Sequence, residues 1–161
     1  MYTPFFTASY STRFPGKKRS CGALLFFGKE MRIALPASTD IYLTGGKSHP
    51  SETKLARFLV RDLSTGSVFI DIGAHYGYFS LLAATIIQEG IIHSFEPSEA
   101  AFGLLRQNTA GSPRITAWQK AVAGNEGSIG FFEFDNLHSE FNSASIGQFE
   151  GEGWFRRDAV L

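Results

Sequence analysis

The sequence has little with which to cross-link itself. Cys21 is the only cysteine among 161 residues, which excludes an intramolecular disulfide and a metal site built from several thiolates. The four histidines lack the short ligand spacing of a zinc site; they are His49, His75, His93 and His138. We therefore expect no metal and, because disulfides mark oxidising compartments, a cytoplasmic location.

The sequence also lacks an excess of charge and any long apolar run. Lys and Arg balance Asp and Glu at 15 each, so the basic field that nucleic-acid binding usually needs is missing. No stretch approaches the roughly 20 apolar residues of a membrane-spanning helix. A basic run at residues 17–19 is interpreted as a solvated tail. We expect neither nucleic acid nor a membrane span, and the hydrophobic content of 43% is enough for a packed core.

The sequence pattern divides the chain near residue 47. Residues 1–47 are predicted to be an N-terminal arm, loosely ordered up to about residue 30, with short strands at 23–27, 31–34 and 40–44. Residues 48–161 are predicted to be a partial α/β domain. Its first helix is expected to begin at Pro50, because proline suits the first helical position. One apolar stripe of that helix is predicted from Leu55, Phe58, Leu59 and Leu63.

From residue 67 onward, strand and helix patterns alternate. The run at 67–73 is apolar without alternation, which is typical of a strand covered on both faces, as in a parallel sheet. Further strands are predicted at 91–95 and at about 115–122. Helical spacing of apolar residues lies between these runs. This order predicts a parallel, Rossmann-like α/β sheet with right-handed crossovers. A further strand is predicted at 128–134.

Glycines and carboxylates follow the first two parallel strands. The first strand ends in a D-x-G-x-x-x-G pattern at residues 71–77 (DIGAHYG), and the second ends at Glu96, about 25 residues after Asp71. Open α/β sheets bind ligands at the carboxyl ends of their strands, where an acid accepts hydrogen bonds from both ribose hydroxyls. Asp71 can orient the loop or receive an amino group through water. The pattern predicts an adenosine site; in the alternative, the glycines only form a turn and Glu96 caps the next helix.

The residue two positions after Gly73 distinguishes between adenosine cofactors. A nicotinamide-binding loop normally reads G-x-G-x-x-G, because its second glycine admits the pyrophosphate to the helix N-terminus. Here that position is His75, whose side chain would crowd a phosphate. S-adenosylmethionine has no phosphate, and we therefore predict it as the cofactor. A nicotinamide-dependent oxidoreductase is the less favoured alternative.

The same segments resemble a known family. Residues 68–80 (VFIDIGAHYGYFS), 94–97 (SFEP) and 105–108 (LRQN) closely resemble the FkbM family of methyltransferases. The resemblance covers about residues 48–135. It implies a Rossmann-like class I methyltransferase that methylates a hydroxyl of a small molecule or glycan, such as a sugar, glycolipid or natural product. The cofactor-binding residues that it implies are Asp71, Gly73, Ala74, His75, Tyr76, Gly77 and Glu96, with Glu52 as a further candidate for the cofactor's amino group.

Two departures from the family pattern affect these expectations. His75 stands where the family usually has asparagine. The family also continues into a strand reading roughly D-x-x-K-x-D-x-E-G, which does not occur before Leu161. We therefore predict a fold truncated after the third parallel strand and one following strand. The strand at 68–72 would then have an open apolar edge, to be covered by a partner chain, by self-association or by residues 128–134.

The catalytic group is not assigned from the sequence. The resemblance implies in-line methyl transfer to an oxygen, with help from positioning and from a general base. Asp135, His138 and Glu140 lie in the final loop region and could face the substrate, but each is expected to be a solvated loop residue. The alternative function is a truncated, non-catalytic remnant that at most binds the cofactor.

Overall fold

The computed structural model describes residues 19–124 and the backbone of two further strands, 130–134 and 155–160. The elements in chain order are β1 Arg19–Leu24, β2 Glu30–Leu35, α1 Thr39–Thr44, α2 Pro50–Asp62, β3 Val68–Ile72, α3 Tyr78–Ile86, β4 Ile91–Phe95, α4 Glu99–Thr109, β5 Ile115–Trp118, β6 Gly130–Phe134 and β7 Phe155–Val160. Among the helices of this described part, none is long and apolar enough to cross a membrane.

A parallel sheet in the order β3–β4–β5 forms the centre of the described chain. Its register pairs Val68 with Ile91 and Ile72 with Phe95, so the carboxyl ends of β3 and β4 lie side by side. Helix α3 connects β3 to β4, and α4 connects β4 to β5, because parallel neighbours can be joined only by a crossover. The predicted α/β, Rossmann-like arrangement is confirmed.

The hairpin of β1 and β2 packs on the same core as the helices that follow the sheet strands. Met31 and Ile33 are buried in one cluster with Tyr78 and Leu81 of α3, and β2 contacts α4. Residues 19–30 therefore differ from the loosely ordered arm that the sequence predicts. Among their apolar side chains, Leu25 is 1% exposed and adds to a core that the hairpin cannot form alone. The division of the chain near residue 47 stays a prediction.

Residues 39–44 form helix α1, and the strand predicted at 40–44 is wrong. A short apolar run does not distinguish strand from helix by its periodicity. Two local features favour the helix. Asp40 lies in its first turn and accepts a hydrogen bond from the Ser48 N–H at 3.1 Å, where a negative charge is stabilised by the helix dipole. Gly45, with φ of 72°, ends it.

Helix α2 begins at Pro50 as predicted but buries a narrower face than the predicted stripe. Leu59 is 3% exposed, whereas Leu55 and Phe58 are 41% and 52% exposed. Leu63, just after the helix, packs against the cluster under α3.

One face of the sheet is covered and the other is open among the described residues. Helix α3 covers the face that carries Phe69 and Ile92. The opposite face carries Val68, Ile70 and Ile72, which are 62%, 56% and 63% exposed. The prediction that both faces are covered is therefore not met within the described residues. An apolar run indicates that both faces suit burial, but it does not identify the element that covers each one.

The strand predicted at 128–134 is present as β6, Gly130–Phe134. It pairs in antiparallel fashion with β7, Phe155–Val160, which the sequence analysis does not predict.

Gly77→Ala is expected to destabilise the protein. The φ of Gly77 is +92°, and an added Cβ would lie 2.7 Å from Cδ1 of the fully buried Leu105. Left-handed backbone and overpacking together should lower the free energy of unfolding by about 2–4 kcal/mol, measured by urea denaturation. The control is Gly103→Ala in α4, where an added Cβ meets no atom within 4 Å. The higher helix propensity of alanine should raise the free energy of unfolding there by up to about 1 kcal/mol. Equal effects of the two substitutions would contradict this account.

Candidate functional site

The loop that joins β3 to α3, residues 73–77, is fastened to the carboxyl end of β4. The N–H groups of Gly73 and Ala74 both donate to the Phe95 carbonyl, at 2.9 and 3.0 Å. Gly73 and Gly77 have φ of 75° and 92°, values that side chains other than glycine rarely tolerate. The two glycines of the sequence pattern therefore serve a backbone that turns back over the next strand.

Glu96 is drawn into this loop from the end of β4. Its Oε2 accepts a hydrogen bond from the His75 N–H at 2.8 Å, and its Oε1 accepts one from the Ser98 N–H at 2.9 Å. The residue is 5% exposed, so these bonds stabilise a carboxylate that burial would otherwise penalise. Glu96 thus helps to fix the start of α4, as in the structural alternative. A carboxylate accepts from about four directions, so these two bonds do not prevent it from also accepting hydrogen bonds from a ribose.

Asp71 lies beneath the loop rather than along it. Ser80 Oγ donates to its Oδ2 at 2.5 Å and also lies 2.7 Å from Ser94 Oγ. Burial raises the pKa of Asp71, and the hydrogen bonds from Ser80 oppose that shift. This arrangement agrees with a role in orienting the loop, while direct contact with a ligand stays a prediction.

Ser80 and Ser94, both of which are completely buried, are not predicted from the sequence. In the sequence, their signal is a serine within an otherwise apolar helix and a second serine within an apolar strand. Hydroxyls buried at such positions require hydrogen-bond partners.

His75 occupies the centre of the loop in the left-handed region, with φ of 51°. Asparagine, aspartate and histidine are the side chains most often found there, so histidine suits the backbone that this position needs. Its ring stacks on Tyr76 at 3.7 Å between centroids. Burial, followed by the charge of Lys47, lowers the pKa of His75 to about 4, so its ring is neutral at pH 7.

Ala74 and Tyr76 lie in the loop as predicted, but their side chains are buried, with 6% and 4% exposure. Any contact that they make with a ligand therefore comes mainly from the backbone.

Asn108 of α4 holds the loop from the side. Its Nδ2 donates to the carbonyls of Tyr76 and Arg32, both at 2.8 Å, and its Oδ1 accepts from the Arg32 N–H at 2.7 Å. One side chain thereby joins α4, strand β2 and the loop. Asn108 enters the sequence analysis only as part of the 105–108 resemblance; its position at the inner end of α4 was the signal for a structural role.

Glu52 lies in the first turn of α2. Its Oε1 forms an ion pair with Lys47 Nζ at 2.9 Å, and Lys47 is the cation whose charge acts on His75. The Tyr78 hydroxyl, at the start of α3, is hydrogen-bonded to the backbone of Lys47. Glu52 is thus connected to the loop only through Lys47, a residue that the sequence does not single out, and its contact with a ligand stays a prediction.

The remaining predictions about the site concern metals and catalysis. Within residues 19–124, no group of three or more His, Cys, Asp or Glu side chains is placed to hold a metal ion. The candidate bases Asp135, His138 and Glu140 lie outside the described residues.

No protein-family model matches the chain, and no curated protein matches it. Solved structures with a similar fold include P. horikoshii TYW2 in complex with MeSAdo, at 14% identity and a TM-score of 0.49 over 71% of this chain and 40% of that one. M. jannaschii TYW2 in complex with AdoMet aligns at 13% identity and a TM-score of 0.47, over 66% of this chain and 45% of that one. An rRNA methylase from Streptococcus thermophilus aligns at 18% identity and a TM-score of 0.40, over 47% of this chain and 45% of that one.

The chain thus spans less than half the length of these similar structures. At such scores and identities the likeness decides neither ligand nor substrate, which depend on the residues of this chain.

Replacing His75 by asparagine should reduce the protein's sensitivity to acid. The unfolded chain protonates this histidine near its ordinary pKa of about 6.5, whereas the folded protein does so only near about 4. The free energy of unfolding should therefore fall as the pH drops from 6.5 to 4, by up to about 3 kcal/mol. Asparagine keeps the left-handed backbone but does not titrate.

Urea denaturation at pH 7 and pH 4.5 measures this difference. His49→Asn is the matched control, because it exchanges an exposed N-cap residue of α2 for another good cap. Its free energy of unfolding should still fall between pH 7 and pH 4.5. If the free energy of unfolding falls equally at pH 4.5 in His75→Asn and in the parent protein, His75 is not the source of the acid sensitivity.

Proposed function

We propose that this chain binds S-adenosylmethionine at the 73–77 loop and is the cofactor-binding part of a methyltransferase. The observation that carries the proposal is the carboxylate of Glu96, which is 5% exposed and is held against the loop by the His75 N–H at 2.8 Å. A buried acid at the end of the second parallel strand is the group that accepts hydrogen bonds from ribose hydroxyls in dinucleotide folds. Its backbone partners give it one fixed orientation.

The hydrogen bonding of the loop favours this cofactor over a nicotinamide dinucleotide. The N–H groups of Gly73, Ala74, His75 and Gly77 all donate within the protein, to the Phe95 carbonyl, Glu96 and the Ala74 carbonyl. A pyrophosphate site depends on backbone N–H groups that point at the ligand. An adenosine cofactor without phosphates makes no such demand.

The proposed reaction is methylation of a hydroxyl group. When bound, the cofactor supplies an electrophilic methyl group: a carbon–oxygen bond forms as the carbon–sulfur bond breaks, and the hydroxyl proton passes to a base. The described residues bind and orient the cofactor. The FkbM resemblance points to a sugar, glycolipid or natural-product hydroxyl, and the equal numbers of acidic and basic residues, 15 each, favour such an acceptor over nucleic acid. We also propose a cytoplasmic location, which suits a chain with a single cysteine.

A second candidate is a chain that binds the cofactor without methylating anything by itself. The apolar face formed by Val68, Ile70 and Ile72 favours it, since these side chains are more than half exposed and β3 pairs only with β4 among the described residues. A partner chain or self-association that covers this side of the sheet is part of this alternative. Methyl transfer by the isolated chain would exclude it.

Isothermal titration with S-adenosylhomocysteine tests the proposed site. We expect binding at micromolar or weaker affinity, and no heat with NAD. Glu96→Gln should weaken the binding by roughly 10- to 100-fold, because hydrogen bonds to a charged acceptor are worth about 1.5–3 kcal/mol.

The matched control for this titration is Glu99→Gln. It neutralises an exposed carboxylate in the first turn of α4 and should leave the affinity unchanged. Thermal melts of each variant show whether the chain is folded. If the folded parent chain binds NAD but not S-adenosylhomocysteine, the proposal is wrong.

A further inference from the structure

The side chain of Asn108 closes the outer edge of strand β2. Its Oδ1 accepts a hydrogen bond from the Arg32 N–H at 2.7 Å, and its Nδ2 donates to the Arg32 carbonyl at 2.8 Å. One side-chain amide therefore pairs with both polar backbone groups of a strand residue, as a neighbouring strand would. Backbone groups at a strand edge otherwise stay open to water or to another chain. Asn108 thus attaches the β1–β2 hairpin to α4 by two hydrogen bonds.

The same amide also binds the loop. Asn108 Nδ2 donates to the Tyr76 carbonyl at 2.8 Å. A side-chain amide has two N–H donors, and here one goes to the strand and the other to the loop. Because the amide group is planar and rigid, turning it toward one partner weakens its bond to the other. The positions of β2 and of the loop are therefore fixed by a single group.

An aromatic contact connects the hairpin to the chain just after the loop. Phe27 lies in the turn between β1 and β2, and its ring meets the Tyr78 ring edge-to-face, with 5.7 Å between centroids and 68° between planes. Tyr78 is the first residue of α3, directly after Gly77. Edge-to-face aromatic pairs add to the stabilisation that burial provides. The hairpin thus acts on the loop at its end, through Asn108 at Tyr76 and through Phe27 at Tyr78.

The hairpin and the loop also share one packed core. Met31 and Ile33 of β2 are buried in the same cluster as Tyr76 and Tyr78. Protein interiors contain few voids, so a displacement of one side chain is passed to its neighbours. A shift of the hairpin would therefore disturb the packing beneath the loop as well as its hydrogen bonds.

We propose that Asn108 is a positioning residue that makes the β1–β2 hairpin part of the ligand-binding unit. The docked hairpin, held through Asn108 and Phe27, keeps the 73–77 loop in the conformation that binds the cofactor. Asn108 acts through the loop and not on the ligand. A loop that is already held loses less conformational freedom when a ligand binds. This inference rests on the proposed cofactor site, and because such coupling is reciprocal, a ligand at the loop also stabilises the hairpin.

Titration with S-adenosylhomocysteine measures the effect of the hairpin on affinity. Asn108→Ala should weaken binding by about tenfold, because the loss of the hydrogen bond to the Tyr76 carbonyl leaves the loop to be ordered by the ligand. Phe27→Leu keeps an apolar side chain but removes the ring contact, and it should weaken binding by about threefold.

Two control variants accompany this titration. Gln107→Ala removes an exposed amide from the neighbouring position of α4. Leu63→Ala lowers the stability of the protein at the cluster under α3, away from the hairpin. Neither control should change the affinity of the folded chain, and thermal melts show that each variant is folded at the temperature of titration.

Amide hydrogen exchange separates this coupling from a general loss of stability. The N–H groups of Met31 and Ile33 point toward β1, since that of Arg32 points outward and the direction alternates along an antiparallel strand. S-adenosylhomocysteine should slow their exchange relative to the amides of β4 by the same factor of about ten in the parent chain, but not in Asn108→Ala. A merely structural role for Asn108 would not remove this response to the ligand.

The unliganded chain gives a readout that does not depend on the cofactor. Asn108→Ala should speed the exchange of the His75 N–H, which donates to Glu96 at 2.8 Å, whereas Gln107→Ala should not. Unchanged affinity and unchanged His75 exchange in Asn108→Ala and Phe27→Leu would overturn the coupling while the cofactor site stands. If Asn108→Ala does not fold, Phe27→Leu decides by the same measurements. If the folded parent chain does not bind S-adenosylhomocysteine, the proposed function fails, and His75 exchange alone decides whether the hairpin positions the loop.

Discussion

The hydrogen bond from the His75 N–H to the Glu96 carboxylate is the constraint on which the candidate site depends. It joins the loop after β3 to the end of β4 across 2.8 Å, and it stabilises an acid that is almost completely buried. His75 directs its N–H there from the left-handed region, at φ of 51°. The glycines on either side, at φ of 75° and 92°, also have left-handed backbone, and Gly73 and Ala74 bind the loop to the Phe95 carbonyl at the end of the same strand.

Two further groups hold the loop in place from below and from the side. Asp71, Ser80 and Ser94 form a buried chain of hydrogen bonds under it, and such networks rigidify a site when every member has a partner. Asn108 binds the Tyr76 carbonyl and strand β2 at once. The β1–β2 hairpin is therefore connected to the site through a side chain of α4, although it precedes the parallel sheet in the sequence.

The charges near the loop are arranged around a neutral centre. Glu96 accepts a hydrogen bond from the His75 N–H, and Lys47, paired with Glu52, is the cation that acts on the His75 ring. His75 itself stays uncharged because burial, followed by the charge of Lys47, lowers its pKa to about 4. A sulfonium cofactor is itself positively charged, and a protonated histidine beside it would repel it. The low pKa of His75 and the proposed cofactor are thus electrostatically compatible.

The sequence by itself determined the parallel α/β order, the loop at 71–77 and the acid at Glu96, because apolar runs, glycines and strand-end carboxylates are local signals. It did not determine α1, since the run at 40–44 suits a strand as well as a helix, nor did it show that Val68, Ile70 and Ile72 are exposed. The contacts of Asn108 and the position of Lys47 emerged only from the tertiary structure. Asn108 contacts a strand 76 residues away, and Lys47 meets the loop through α3. Only folding decides which distant side chains surround a loop, because no local pattern encodes contacts made across the packed core.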